Sequence, residues 1–194
     1  MSPRGKAIPR LISAGERVLV AVGPRAVTAR SVAREAGVAT GALYHHLAEF
    51  DDFLAALVLD RFRAQAEQKA GFPQRAGSRT VEQNLADAAV SLLESPTLAV
   101  ADLVRARTGL SVKVMGELDA GAAGLPEVQR AIVAYLEEER RLGRIAAAAD
   151  TEAGTLMLVG AVTTCSCCTV RALRSRPARR IAAAVLIGLT ERAP

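Results

Sequence analysis

A chain of 194 residues, 51% of them apolar, can bury a sizeable core without disulfide or metal staples. It has no Trp, two Tyr and four Phe, and its apolar side chains are mostly Ala, Leu and Val; this argues against a strand-rich domain and for an all-α one. The net charge of +5 sits at one end: over residues 1–48, Arg4, Lys6, Arg10, Arg17, Arg25, Arg30 and Arg34 are opposed only by Glu16 and Glu35, whereas the remainder balances 18 basic against 18 acidic side chains. A basic end on a neutral body suits a polyanion partner, because neutralised phosphates release counterions. A solubility tail would carry the same charge.

Residues 10 to 22 read as a helix closed by Gly23-Pro24, a stop signal followed by a residue that cannot continue it. Thr28 is placed to cap a short helix ending at Ala36, where Gly37 supplies the permissive turn. A second short helix follows from about Ala39 to Leu47, then a longer one over about 50–69 with Phe53, Leu54, Leu57, Val58 and Phe62 at helical spacing. The run Gly71–Ser78 breaks the pattern, which predicts a domain boundary between 1–70 and 80–194. Thr80 with Gln83 has the capping-box spacing for a helix to about Leu93, and Ser95-Pro96 has the cap-then-proline form for one ending near Arg107. A further helix is expected over about 110–118. Pro126 opens a long one with the stripe Val128, Ile132, Tyr135, Leu136 and Leu142. Asp150 is placed to cap an uncharged helix, and Pro177 to begin a last one carrying Ile181, Val185, Leu186 and Leu189.

Two short helices separated by a glycine turn, in a basic N-terminal segment, describe a helix-turn-helix at about 28–47. Val32, Ala33, Ala36, Val38, Leu43 and Leu47 would form its small core. With Leu43 and Leu47 inward, Gly41, Ala42, Tyr44 and His45 turn outward behind Thr40. Small residues at the leading end let a helix approach the major groove closely. Thr40 and His45 can bond phosphates or base edges, and the Tyr44 hydroxyl can bond a phosphate.

Over Leu11 to about Leu57, and above all in Val32-Ala33-Arg34-Glu35-Ala36-Gly37-Val38-Ala39-Thr40-Gly41-Ala42-Leu43-Tyr44-His45-His46-Leu47, the sequence resembles the tetracycline-repressor-like (TetR) regulators. The resemblance implies a three-helix DNA head on a helical ligand-binding and dimerisation domain, and a homodimer on a pseudo-palindromic double-stranded operator. It further implies repression until an unidentified small molecule enters the body. Carried onto this chain, it makes Thr28, Arg30, Thr40, Gly41, Ala42, Tyr44 and His45 the DNA-binding residues, with Thr28 capping near a phosphate and Tyr44 on the backbone. The family has Phe where Leu47 stands, and Ser then Lys where Glu49-Phe50 stand. That lysine contacts phosphate, so the change implies weaker or more salt-sensitive binding, or compensation from Arg4, Lys6 and Arg10.

Several other features carry a competing reading. Ala153 to Val170 holds no charge over eighteen positions, close to a membrane span. Its five Thr and Ser side chains and its lack of aromatic anchors favour a helix buried in a core or subunit interface, and no membrane partner is expected. The homodimer contact is expected on the two helices at about 152–173 and 178–191. Cys165, Cys167 and Cys168 are an odd, clustered set that suits a reducing cytoplasm; buried small hydrophobes or a thiol sensor are both open. A helical small-molecule-binding or thiol-sensing protein with a degenerate DNA head is the alternative function. Adjacent His45 and His46 point about 100° apart and cannot chelate together, so no metal is expected. Arg105, Arg107 and Tyr135 are candidate ligand-binding residues, against solvated faces for the two arginines. Tyr135 is the only aromatic in the body, which argues for an aliphatic or modestly polar ligand rather than a flat aromatic one. Glu137 to Arg141 reads as an exposed face, except that Glu139 lies near the Tyr135–Leu136–Leu142 stripe, which leaves its partial burial open. No phosphate-cradling loop, HExxH pattern or nucleophile turn is present, so neither a catalytic site nor a cofactor is expected. If the Phe50 change matters, Phe50→Lys tightens binding to unrelated duplexes in a titration; unchanged affinity would contradict it.

Overall fold

The computed structural model of the chain describes residues 4–41, 49–166 and 175–190. Among the described residues are nine α-helices and no strand, the all-α architecture that the Ala- and Leu-rich composition predicts. They are α1 (Arg4–Val22), α2 (Ala29–Ala36), α3 (Phe50–Ala70), α4 (Val81–Glu94), α5 (Thr97–Arg105), α6 (Thr108–Asp119), α7 (Leu125–Arg141), α8 (Thr151–Ser166) and α9 (Ser175–Thr190). Short 3-10 turns occupy Pro24–Ala26 and Pro73–Arg75. Of the helix expected over 39–47, Ala39 and Thr40 are not helical and helical backbone begins at Gly41; residues 42–48 lie outside the described ones.

The chain forms two compact units that do not follow sequence order. One comprises Met1–Ala64 with Pro96–Gly124, the other Gln65–Ser95 with Leu125–Pro194. The chain passes from the first to the second within α3, so the Gly71–Ser78 break lies inside the second unit rather than between the two. Helices α5 and α6, which sequence order places after that break, return to the first unit.

In the first unit, Leu11, Ala14, Val18 and Leu19 put one face of α1 into a core shared with Val32 and Ala33 of α2 and Phe53, Leu54, Leu57 and Val58 of α3. Val100 and Leu103 of α5 and Leu110 and Val114 of α6 complete it. Gly15 sets the closeness of α1 to α3: a Cβ there would lie 2.9 Å from Phe53 Cζ and 3.3 Å from Leu57 Cδ2. Glu16 adds a 2.6 Å ion pair to Arg61 across the same contact. Helix α1 begins six residues before the expected start, running through Pro9. Proline there removes one backbone donor without ending the helix. Val38, expected in the small core, is 38% exposed beyond the Gly37 turn.

In the second unit, α4 packs against α9 and α8, and α7 against α8 and the Pro73–Arg75 turn. The Thr80–Gln83 capping box forms in both directions, with Gln83 N–H donating to Thr80 Oγ1 at 3.1 Å. Asp150 Oδ1 accepts the Ala153 N–H at 2.9 Å and so caps α8. Ser95 is the C-cap of α4, and the N-cap position of α5 is Pro96, one residue later than the cap-then-proline form predicts. Val128, Ile132, Tyr135 and Leu136 line the buried face of α7, while Leu142 falls after the helix and is 44% exposed. Phe72, in what reads as a linker, is buried with its ring 4.6 Å from that of Tyr135. Helix α8 buries Leu158, Val159 and Val162 but exposes Leu156 and Met157, and its Gly154 brings it close to Leu189 of α9. No helix among the described residues is long and apolar enough to cross a membrane.

A side chain at Gly15 would have to displace a fully buried phenylalanine. Gly15→Val is therefore expected to destabilise the chain by about 1–3 kcal/mol, read as a lower urea midpoint at unchanged slope. An unchanged midpoint would show that α1 and α3 are not held at this distance.

Candidate DNA-binding head

The head is built by local signals that act in sequence. Gly23, at φ +97°, ends α1, and Pro24 opens the turn to Ala26. Thr28, in extended conformation, caps α2: its Oγ1 accepts the Ser31 N–H at 3.1 Å, and Ser31 Oγ accepts the Thr28 N–H at 2.9 Å. The Ser31 hydroxyl donates back to the Ala26 carbonyl at 2.7 Å, which fixes the entry into the helix. Ser31 was not singled out from sequence, because the usual partner at that position is Glu or Gln. Gly37, at φ +68°, ends α2 with its N–H returned to Ala33 and Arg34 carbonyls. Only glycine takes this left-handed turn at little cost.

This frame leaves Thr28, Arg30, Thr40 and Gly41 exposed, while Val32 and Ala33 anchor α2 from below. Ala42, Tyr44 and His45, the other expected DNA contacts, lie outside the described residues, as do Leu43 and Leu47. The basic excess of the segment divides. Arg17 pairs with Glu35 at 2.7 Å, and Glu16 with Arg61, so both acids of the first 48 residues are engaged by arginines. Arg10, Arg25, Arg30 and Arg34 are exposed. An uncompensated positive surface is what phosphate attraction needs.

Residues 11–56 match the family model described as bacterial regulatory proteins, tetR family. Over this segment the chain is similar to the tetR family. That family is one of helix-turn-helix DNA-binding regulators, and the fold beyond the segment agrees with it. Salmonella enterica GusR shares 14% identity with a TM-score of 0.69, over 97% of this chain and 98% of that one. The transcriptional regulator FadR from Bacillus subtilis, solved in complex with stearoyl-CoA, shares 19% at 0.65, over 93% and 98%. The reduced form of E. coli NemR shares 17% at 0.69, over 96% and 99%. At such identities these likenesses speak to the fold. No curated protein matches the chain by sequence.

The expected effector residues are divided between the two units. Arg105 and Arg107 belong to the first unit and Tyr135 to the second. Arg105 pairs with Asp102 on its own helix, and Arg107 with Asp51 at 3.2 Å. Tyr135 is fully buried; its hydroxyl accepts from Asn84 Nδ2 at 3.1 Å, and burial first, then its hydrogen bond to Glu139, pushes the phenol up. Glu139 is completely buried, while Glu137, Glu138 and Arg140 beside it are half-buried and Arg141 is exposed. It accepts the Gly77 N–H at 3.3 Å and pairs with Arg144 at 3.1 Å. Together with the bond from Asn84 Nδ2 of α4 to the Arg75 carbonyl at 3.3 Å, these contacts fasten the 73–79 loop onto α7 and α4. Gln65 Nε2, Asn84 Oδ1 and Thr155 Oγ1 are buried without a hydrogen-bond partner among the described residues. Each such atom carries an uncompensated desolvation cost.

Lys69, 5% exposed, is also held inside this unit, and burial lowers its pKa to about 8, with Arg75 nearby adding to the effect. Below about pH 8 the ammonium is charged in folded and unfolded chains alike, and the cost of burying it is constant. From about pH 8 towards 10.5 the folded chain has lost a proton that the unfolded chain keeps, so this group makes stability rise with pH. Lys69→Met is expected to stabilise the chain near pH 7 by on the order of 2 kcal/mol and to flatten that rise. Parallel pH profiles of urea unfolding for the two proteins would contradict it.

Proposed function

We propose that the chain is a dimeric, sequence-specific DNA-binding regulator, acting as a repressor that a small molecule releases. The observation that carries this reading is the tetR-family match over residues 11–56 in a chain whose whole length has the fold of such regulators. The exposed edge at Thr28, Arg30, Thr40 and Gly41 supports a protein–DNA contact made there and continued through Ala42, Tyr44 and His45. Two such edges would occupy successive major grooves about 34 Å apart, which requires a twofold partner. The apolar side chains of Leu156 and Met157 on α8 and Ile187 on α9, each more than half exposed in the single chain, support α8 and α9 as the dimer contact. The part of that contact expected at 167–174, with Cys167 and Cys168, lies outside the described residues, as does the side chain of Cys165.

For the effector, the partnerless polar atoms of Gln65, Asn84 and Thr155 favour a ligand with polar groups over a purely aromatic one. Such a ligand would lower DNA affinity by its differential affinity for the two body conformations. The likeness to FadR, solved with stearoyl-CoA, is compatible with an aliphatic ligand that carries a polar head.

Selection from a random duplex pool tests the DNA reading, with an inverted repeat as the expected product; recovery of no enriched sequence at low salt would contradict it. Dimerisation is tested by sedimentation of Leu156→Glu/Met157→Glu. Dissociation at micromolar concentration with unchanged helix content is expected, and an unaltered mass would move the interface elsewhere.

A further inference from the structure

A charge cluster in the first unit joins the start of α3 to α6. Lys113 donates to Glu49 Oε2 at 3.0 Å and more closely to Asp52. Asp52 Oδ2 also accepts the Glu49 N–H at 2.9 Å, capping the first turn of α3. Arg107, just before α6, pairs with Asp51 at 3.2 Å and sets its guanidinium 5.9 Å from the centre of the Phe50 ring, which stacks on Phe53.

The electrostatic consequence follows from position. Three carboxylates crowd residues 49–52, and Glu49 is four residues beyond His45 in the sequence. Fully extended chain would separate them by at most about 14 Å. The screening length is about 8 Å at physiological salt and about 30 Å at 0.01 M, so uncompensated acid at residues 49–52 would act on phosphates at the expected DNA edge most strongly at low salt. Lys113, paired with Glu49 and Asp52, and Arg107, paired with Asp51, offset two of the three negative charges, and they come from a segment some sixty residues away. The hydrogen bond from Lys113 holds the Asp52 carboxyl below its ordinary range, and Asp52 in turn raises the Lys113 ammonium. Both members of the pair therefore stay charged around neutrality.

We propose that Lys113 and Arg107 are positioning residues for DNA binding, which cancel and hold the acidic turn 49–52 so that phosphates can approach the head. This rests on the DNA-binding reading above. Neither residue is required to touch DNA; both act through Glu49, Asp51 and Asp52.

The test uses the full chain and a fluorescent random-sequence duplex at two salt concentrations, with far-UV circular dichroism as the check on folding. Lys113→Ala is expected to weaken binding roughly two- to fivefold on every duplex, more at low salt, while Lys113→Arg keeps it. Adding Glu49→Gln and Asp52→Asn to Lys113→Ala is expected to return affinity to the wild-type level or beyond. Glu49→Gln/Asp52→Asn alone is expected to tighten binding, which keeps the test decisive even where Lys113→Ala loses helix content. Wild-type affinity in Lys113→Ala, no rescue in the triple variant, or no tightening in the double variant would each overturn the inference. A wild-type chain that binds no duplex at low salt would instead sink the DNA-binding reading itself.

Discussion

The close contact of α1 with α3 at Gly15 and Phe53 is the constraint on which the head depends. Helix α2 is only eight residues long, too short to be stable alone, so its position is inherited from what it packs on. Val32 and Ala33 find buried places only because α1 has already been brought against Phe53, Leu54 and Leu57. The Thr28–Ser31 box and the Gly37 turn then determine where α2 starts and stops. Thr40 and Gly41 are exposed at the far end of this sequence of dependencies, and the expected reading helix begins there.

Local signals were legible in the sequence because each is a bond between near neighbours. Gly23-Pro24, the Thr28 cap, the Gly37 turn, the Thr80–Gln83 box and the Asp150 cap are all found where residue type and spacing put them. Long-range placement was not legible in the same way. Val100, Leu103, Leu110 and Val114 advertise apolar faces, yet nothing in their spacing says that those faces complete the core of the N-terminal unit. Phe72 sits among glycine and proline and reads as linker, but an aromatic ring without a partner finds one in Tyr135. Glu139 lies in a run of five charges, and its burial depends on Gly77 and Arg144, 62 and 5 residues away.

The same distinction applies to the site. Exposure of Thr28, Arg30, Thr40 and Gly41 followed from the helix-turn-helix pattern. The contacts of Arg107 with Asp51 and Phe50 were not legible, because an arginine's partner is set by tertiary contact rather than by its own neighbours. Position 50, where the family carries a lysine, has a guanidinium above its aromatic ring. In the second unit, buried Gln65, Lys69, Asn84, Tyr135 and Glu139 give a core that is polar at several points, unlike the uniformly apolar core of the first. Cores of that kind are less favourable to fold than apolar ones unless every polar group finds a partner.

The central claim is that DNA meets the edge that begins at Thr28. Hydrogen–deuterium exchange of the full chain, with and without an excess of duplex at low salt, measures this residue by residue. Slowed exchange across 28–49, with α4 unchanged, is the predicted outcome. A duplex that binds while leaving 28–49 unprotected would contradict it.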